Sequence, residues 1–313
     1  MKIDLTTRIK SLTLKNPVTV ASGTFGTTDE YAGFVDYKKL GAIITKTITV
    51  KTRAGNPMPR ICETTAGMLN AIGLQNKGLE DFLENKIPYF KKLGVPLIVS
   101  IAGETTEEFA KLAKAFDGHR DVVSALEINL SCPNVEAGGV NFMKKQERIL
   151  EAVQAVREGT QLLTFAKLSP ELGDVLAIAE QILKQGIDGL SVINTLRGMA
   201  VDIGSRRSKL ARDFGGLSGP AIKPVALRYT YQVKKEFRVP VIASGGISNV
   251  KDAVEFLIVG ADLLAIGTAN FVEPAATLEI LNGIEAFCRK EKIQSLGELH
   301  GSYQPANEEG SRC

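Results

Sequence analysis

Histidine is nearly missing from this chain: His119 and His300 are the only two, too few for a histidine metal centre. Cysteine is scarce as well. Cys62, Cys132, Cys288 and Cys313 form no Cys-x-x-Cys pair, so the spacing that disulfide frameworks, zinc sites and iron–sulfur clusters need is absent, and no metal site is expected. Any redox chemistry must then use an organic cofactor. Aromatic residues make up only 6% of the chain. The net charge of +3 and pI near 8.5 are too mild for a nucleic-acid partner. No apolar run approaches the ~18 residues that cross a bilayer, and Met1-Lys2-Ile3-Asp4-Leu5-Thr6 offers no apolar signal region. A soluble, cytoplasmic protein without a membrane partner is expected.

What is present is a rhythm. The 313 residues are 44% hydrophobic and 23% charged, enough for a large core in one domain or two smaller ones. Eight short apolar runs, at 17–21, 41–46, 96–102, 123–130, 162–168, 189–193, 240–243 and 262–266, alternate with amphipathic stretches such as 105–116, 145–158, 173–185, 221–237, 250–259 and 274–289. Strand–helix alternation implies a parallel sheet covered by helices, and eight units favour a closed (β/α)8 TIM barrel over an open sheet. The rival dinucleotide-binding sheet lacks its Gly-x-Gly-x-x-Gly after the first strand, where Ser22-Gly23-Thr24-Phe25-Gly26 stands instead. The leading segment 3–14 reads as a β-hairpin capping the barrel floor. No low-complexity linker divides the chain, so 1–313 is read as one domain, with 304–313 a polar, disordered tail.

In a barrel, functional groups gather at the C-terminal ends of the strands. Those positions hold Ser22-Gly23, Lys46-Thr47, Asn129 and Cys132, Lys167, Asn194-Thr195, Gly245-Gly246 and Gly267-Thr268. The glycine pairs after the seventh and eighth runs can aim backbone N–H groups at a phosphate. Lys46 and Lys167 end apolar strands, so each ammonium needs an anion: a ligand phosphate or carboxylate, or a protein carboxylate at a strand end. In Asn129-Leu130-Ser131-Cys132-Pro133-Asn134, Pro133 bars Cys132 from helical geometry and puts a thiol at a loop start between two amides. Such a thiol can act as a proton acceptor beside a planar polar ligand, or it can be a buried structural cysteine.

Taken in order, these residues resemble the dihydroorotate dehydrogenases of the soluble, cysteine-dependent class. The resemblance runs through Ala21-Ser22-Gly23, Lys46-Thr47, Gly55-Asn56-Pro57 with Pro59-Arg60, Asn70-Ala71-Ile72-Gly73-Leu74-Gln75-Asn76, the Cys132 segment, Lys167-Leu168-Ser169-Pro170, Asn194-Thr195-Leu196, Leu217-Ser218-Gly219-Pro220, Gly245-Gly246-Ile247 and Gly267-Thr268-Ala269. It implies FMN over the barrel mouth, its phosphate on Gly245, Gly246, Gly267 and Thr268, with Ser22, Lys46, Thr47, Asn129, Ile193 and Gly219 along the rest. Lys167 is implied at the N1/O2 edge of the ring, where a fixed ammonium stabilises the negative charge of reduction. Lys46, Asn70, Ala71, Ile72, Gly73, Leu74, Asn129, Asn134, Asn194 and Thr195 are implied as the dihydroorotate and orotate contacts. Cys132 is implied as the base that takes the C5 proton while C6 gives a hydride to the flavin, forming orotate.

The resemblance also implies an electron acceptor. Ile72 stands where the fumarate-using branch has Met, so the NAD-linked branch is expected, with a partner subunit carrying FAD and a 2Fe-2S cluster and a homodimer inside a heterotetramer. Ser100 stands where the family places a flavin-contacting asparagine, and a hydroxyl has the shorter reach. The segment 197–214, rich in Gly, Arg and Lys, reads as a lid over Cys132 or as a solvated loop. A fumarate-dependent enzyme, a flavin subunit that reduces uracil or thymine, and a non-catalytic flavin scaffold are the alternatives.

Overall fold

The computed structural model describes residues 3–26, 30–130 and 146–305. Eight parallel strands form the central sheet: β1 Val18–Val20, β2 Ile43–Ile44, β3 Leu97–Ile101, β4 Val123–Asn129, β5 Leu163–Leu168, β6 Gly189–Val192, β7 Val241–Ser244 and β8 Leu263–Ile266. Hydrogen-bonded neighbours run β1-β8-β7-β6-β5-β4-β3-β2. The remaining seam, between β1 and β2, is bridged by the Gly41 N–H donating to Val18 O at 2.9 Å. The sheet is therefore a nearly closed (β/α)8 barrel, as the strand–helix rhythm predicts.

Both faces of these strands are covered, which is why they read as continuous apolar runs rather than alternating ones. The outward face packs against the helices. Val99, Leu126, Leu168, Leu190 and Leu264 join Phe109, Phe116, Ile149, Ile182 and Phe256 in one buried cluster. Helix starts are fixed locally: Thr105 accepts from Glu108 N to open Thr106–Asp117, Asp174 from Leu176 N and Ala177 N to open Val175–Lys184, and Asn249 from Asp252 N to open Val250–Ile258.

The inward face has two tiers. At the floor, Ile44, Ile98, Ala125, Phe165, Ile242 and Leu263 cluster with Ile9 and Leu14. Those last two come from an antiparallel hairpin, Thr7–Ile9 with Leu12–Leu14, and are 1% and 0% exposed, so each contributes roughly 1.5–3 kcal/mol of burial. The hairpin plugs the floor as expected. Two residues further along the same strands the period of two brings Lys46, Ser100, Glu127, Lys167, Ser244 and Ala265 inward. The lumen thus turns from hydrocarbon to polar between floor and mouth.

One element was not foreseen. Ile61–Thr64, Gly67–Asn70, Gly215–Ser218 and Leu196–Gly198 form a separate four-stranded antiparallel sheet over the mouth. Of the segment 197–214 only the first two residues belong to this sheet; the rest runs on as a largely exposed loop with a short hairpin of its own. Val201–Asp202 pairs with Arg207–Ser208, Leu210 is buried against Leu69 and Ala71, and Ala211 N donates to Pro59 O at 2.8 Å. The Arg197 guanidinium lies 4.6 Å from the centre of the Phe214 ring. These contacts anchor the two ends of the segment while 201–207 stay exposed; the Cys132 it was expected to cover lies outside the described residues, as do 306–313 of the tail.

Candidate active site

A cleft of about 1420 Å³ opens at the C-terminal end of the barrel, between the strand ends and the mouth sheet. That exceeds the roughly 300–1,000 Å³ of an ordinary ligand pocket and leaves room for a cofactor together with a substrate. Ser22, Lys46, Thr47, Asn70, Ile72, Gly73, Leu74, Asn129, Lys167, Ile193, Asn194, Thr195, Gly219, Gly245, Gly246, Gly267 and Thr268 all line it. Cys132 and Asn134 lie outside the described residues.

Two expected contacts do not reach the cleft. Ala71 is 1% exposed and packs with Leu69 and Leu210, because strand alternation turns it away from the side to which Asn70 and Ile72 point. Ser100 is fully buried one step below the wall. Its hydroxyl lies 3.0 Å from Thr47 Oγ1, which also lies 3.1 Å from Ser22 Oγ and accepts from Asn129 Nδ2 at 3.1 Å. Thr47 has one proton, so it donates to one serine and accepts from the other and from Asn129, which saturates the hydroxyl. Ser100 therefore bears on the wall through Thr47.

The two lysines have different surroundings. Lys167 Nζ stands 3.6 Å from Glu127 Oε1 on the neighbouring strand, so its anion is supplied by the protein. Lys46 has no ion pair among the described residues; burial first and the adjacent Arg60 second push its ammonium below the ordinary pKa of 10.5, against the pull of Glu30. Lys46 is thus a half-buried cation awaiting an anion.

At the end of β7, Gly245 and Gly246 have φ of 120° and 78°, conformations that favour glycine. A Cβ on Gly246 would fall 2.7 Å from Lys223 N, so the loop is seated hard on the start of the Lys223–Phe237 helix. Ser244 is locked to the end of β6: Ile193 N donates to Ser244 O at 2.9 Å and Ser244 Oγ to Ile193 O at 2.7 Å. Thr268 Oγ1 donates to Ser218 Oγ at 2.8 Å, which joins the β8 loop to the mouth sheet.

Several contributors escaped the sequence reading. Asn56 Nδ2 donates to Ala71 O at 3.0 Å and Asn76 Nδ2 to Leu74 O at 2.8 Å, and these bonds hold the 70–74 loop in shape. Both asparagines stood in the quoted motifs without a role. Glu127 had a plainer signal, a lone carboxylate in an apolar run. Among the described residues no cluster of three or more His, Cys, Asp and Glu could hold a metal ion, and no helix is long and apolar enough to cross a membrane.

A cleft at the C-terminal end of a TIM barrel that gathers glycine turns, two lysines and several amides has the place and make-up of an enzyme active site. Comparison with known proteins narrows this. The sequence profile of the dihydroorotate dehydrogenase family matches residues 4–288, and the chain belongs to that family. Among its relatives, the protein of Desulforamulus reducens is 48% identical over 302 residues, covering 96% of this chain and 99% of the relative. That of Desulforudis audaxviator is 47% identical over 302 residues, covering 96% and 98%, and that of Geobacter metallireducens 48% over 301 residues, also 96% and 98%. All three are described as dihydroorotate dehydrogenase B (NAD(+)), catalytic subunit.

Proposed function

We propose that this chain is a catalytic subunit that oxidises (S)-dihydroorotate to orotate in pyrimidine (UMP) biosynthesis, with FMN as its flavin and NAD⁺ as the final electron acceptor. The observation that carries the reading is convergence: residues from Ser22 to Thr268, named from ordered motifs, line one cleft in a chain close to half identical to enzymes of that description. The same chemistry supports FMN over a flavin without phosphate. Gly245, Gly246, Gly267 and Thr268 suit a phosphate, while Lys46 is left to bind a carboxylate.

When bound, the flavin supplies a two-electron acceptor for the hydride leaving C6 of the substrate. The chain's own residues do the rest. Lys46 holds the substrate carboxylate, and Asn70, Asn129, Asn134, Asn194 and Thr195 meet the polar edges of the pyrimidine ring, with the backbone of Gly73 and Leu74 beside them. Cys132 takes the proton from C5 as general base. Lys167 would face the bound flavin and stabilise the negative charge that its reduction would bring. The Thr47 hydroxyl holds Asn129 at its height above the floor. Electrons leave to a partner subunit carrying FAD and a 2Fe-2S cluster, in a heterotetramer built on a homodimer, within the cytoplasm. The whole chain 1–313 works as one flavin-binding domain.

The test is to mix the flavin-loaded chain anaerobically with dihydroorotate, follow the yellow absorbance, then add NAD⁺ or fumarate. Bleaching that NAD⁺ reverses only once the partner subunit is added supports the reading; reversal by fumarate alone moves the chain to the other branch. No bleaching refutes the activity. Cys132→Ala is expected to keep flavin and orotate binding while slowing bleaching at least about a hundredfold, the scale of general-base catalysis; near-normal bleaching removes Cys132 from that role.

A further inference from the structure

Glu127 is the only acidic residue in the eight barrel strands. A carboxylate in such surroundings is costly unless paired. It sits in register with Phe165, as Asn129 does with Lys167 one inward step higher. The ammonium stands 3.6 Å from Glu127 Oε1, with the two side chains 8% and 2% exposed. That is ion-pair range but beyond a hydrogen bond, and Oε1 has no hydrogen-bond partner. Lys167 is therefore held from below by charge alone while it lines the cleft above.

We propose that Glu127 is a positioning residue for Lys167: its carboxylate sets the depth of the ammonium in the lumen and offsets part of its charge, and in this way sets the reduction potential of the flavin above. The inference rests on the functional reading given above, in which Lys167 opposes the charge of the reduced ring. Reduction adds negative charge near a fixed cation. A carboxylate behind that cation weakens its field at the ring, most strongly where water is excluded. Glu127→Gln keeps the shape and removes the opposing charge, so the reduced flavin gains.

The experiment measures midpoint potentials of flavin-loaded wild type, E127Q, E127D, K167M and E127Q/K167M by anaerobic titration against reference dyes, together with flavin dissociation constants. E127Q is expected to favour the reduced form about tenfold, a rise of about 30 mV for a two-electron couple. In the K167M background the same substitution is expected to move the equilibrium less than about threefold, because coupled residues are not additive. A shift below threefold in E127Q, or an equal shift with and without Lys167, overturns the proposal. E127D withdraws the charge without removing it and is expected to shift the potential in the same direction by about threefold. If E127Q does not fold, an unchanged potential in E127D overturns the proposal. A wild-type chain whose flavin dihydroorotate cannot bleach overturns the functional reading and this inference with it; bleaching in wild type with no shift in the variants overturns this inference alone.

Discussion

Replacing Thr47 by Val removes one hydroxyl and almost nothing else, yet three hydrogen bonds converge on that atom. Ser100 Oγ is fully buried and loses its partner, a loss of about 1–3 kcal/mol for an unsatisfied buried group. Ser22 and Asn129 are partly buried and each gives up one bond worth about 0.5–1.5 kcal/mol net. Allowing for the better burial of a methyl group, the variant should unfold about 2–5 kcal/mol more easily. Urea unfolding of the two flavin-loaded proteins, at equal flavin concentration, reads this as a lower midpoint at unchanged slope. The loss of this one hydrogen bond to Asn129 should also weaken orotate binding by roughly tenfold, about 1.4 kcal/mol, seen as a displaced titration of the flavin spectrum. A variant within about 0.5 kcal/mol of wild type, binding orotate equally well, would refute the idea that Thr47 organises this wall.

Two further outcomes are expected. The ammonium of Lys46 lies below its ordinary pKa of 10.5 and an anion raises it again, so orotate affinity is full below the lowered value and falls by up to about tenfold per pH unit above it; spectral titrations across pH should show that slope in wild type and not in Lys46→Met. Gly246→Ala places a Cβ 2.7 Å from Lys223 N at a φ of 78°, so the loop must move, and the folded protein should purify with flavin bound at least about tenfold more weakly. A fully yellow Gly246→Ala protein would count against the phosphate assignment.

The barrel was legible because its strands are buried on both faces and stand out as apolar runs, from 17–21 to 262–266. The mouth sheet was not. Gly67–Asn70 and Gly215–Ser218 carry three glycines between them and no alternation, and their partnership joins Asn70 to Gly216 across 146 positions of sequence, which no local pattern records. The site was legible as motifs, but orientation was not. Ala71 sits between two cleft residues and faces the core, and Ser100 occupies the right strand but lies buried behind Thr47. Glu127 escaped because only the three-dimensional pairing with Lys167 gives a buried carboxylate its purpose.

The hairpin plug has a consequence for traffic. With Ile9 and Leu14 stoppering the floor, the described barrel is closed at that end, and a ligand of the cleft comes and goes on the mouth side. A pyrimidine that arrives by that side must wait for the previous one to depart. A through-channel would let supply and removal proceed independently; a stoppered vessel forces them to take turns.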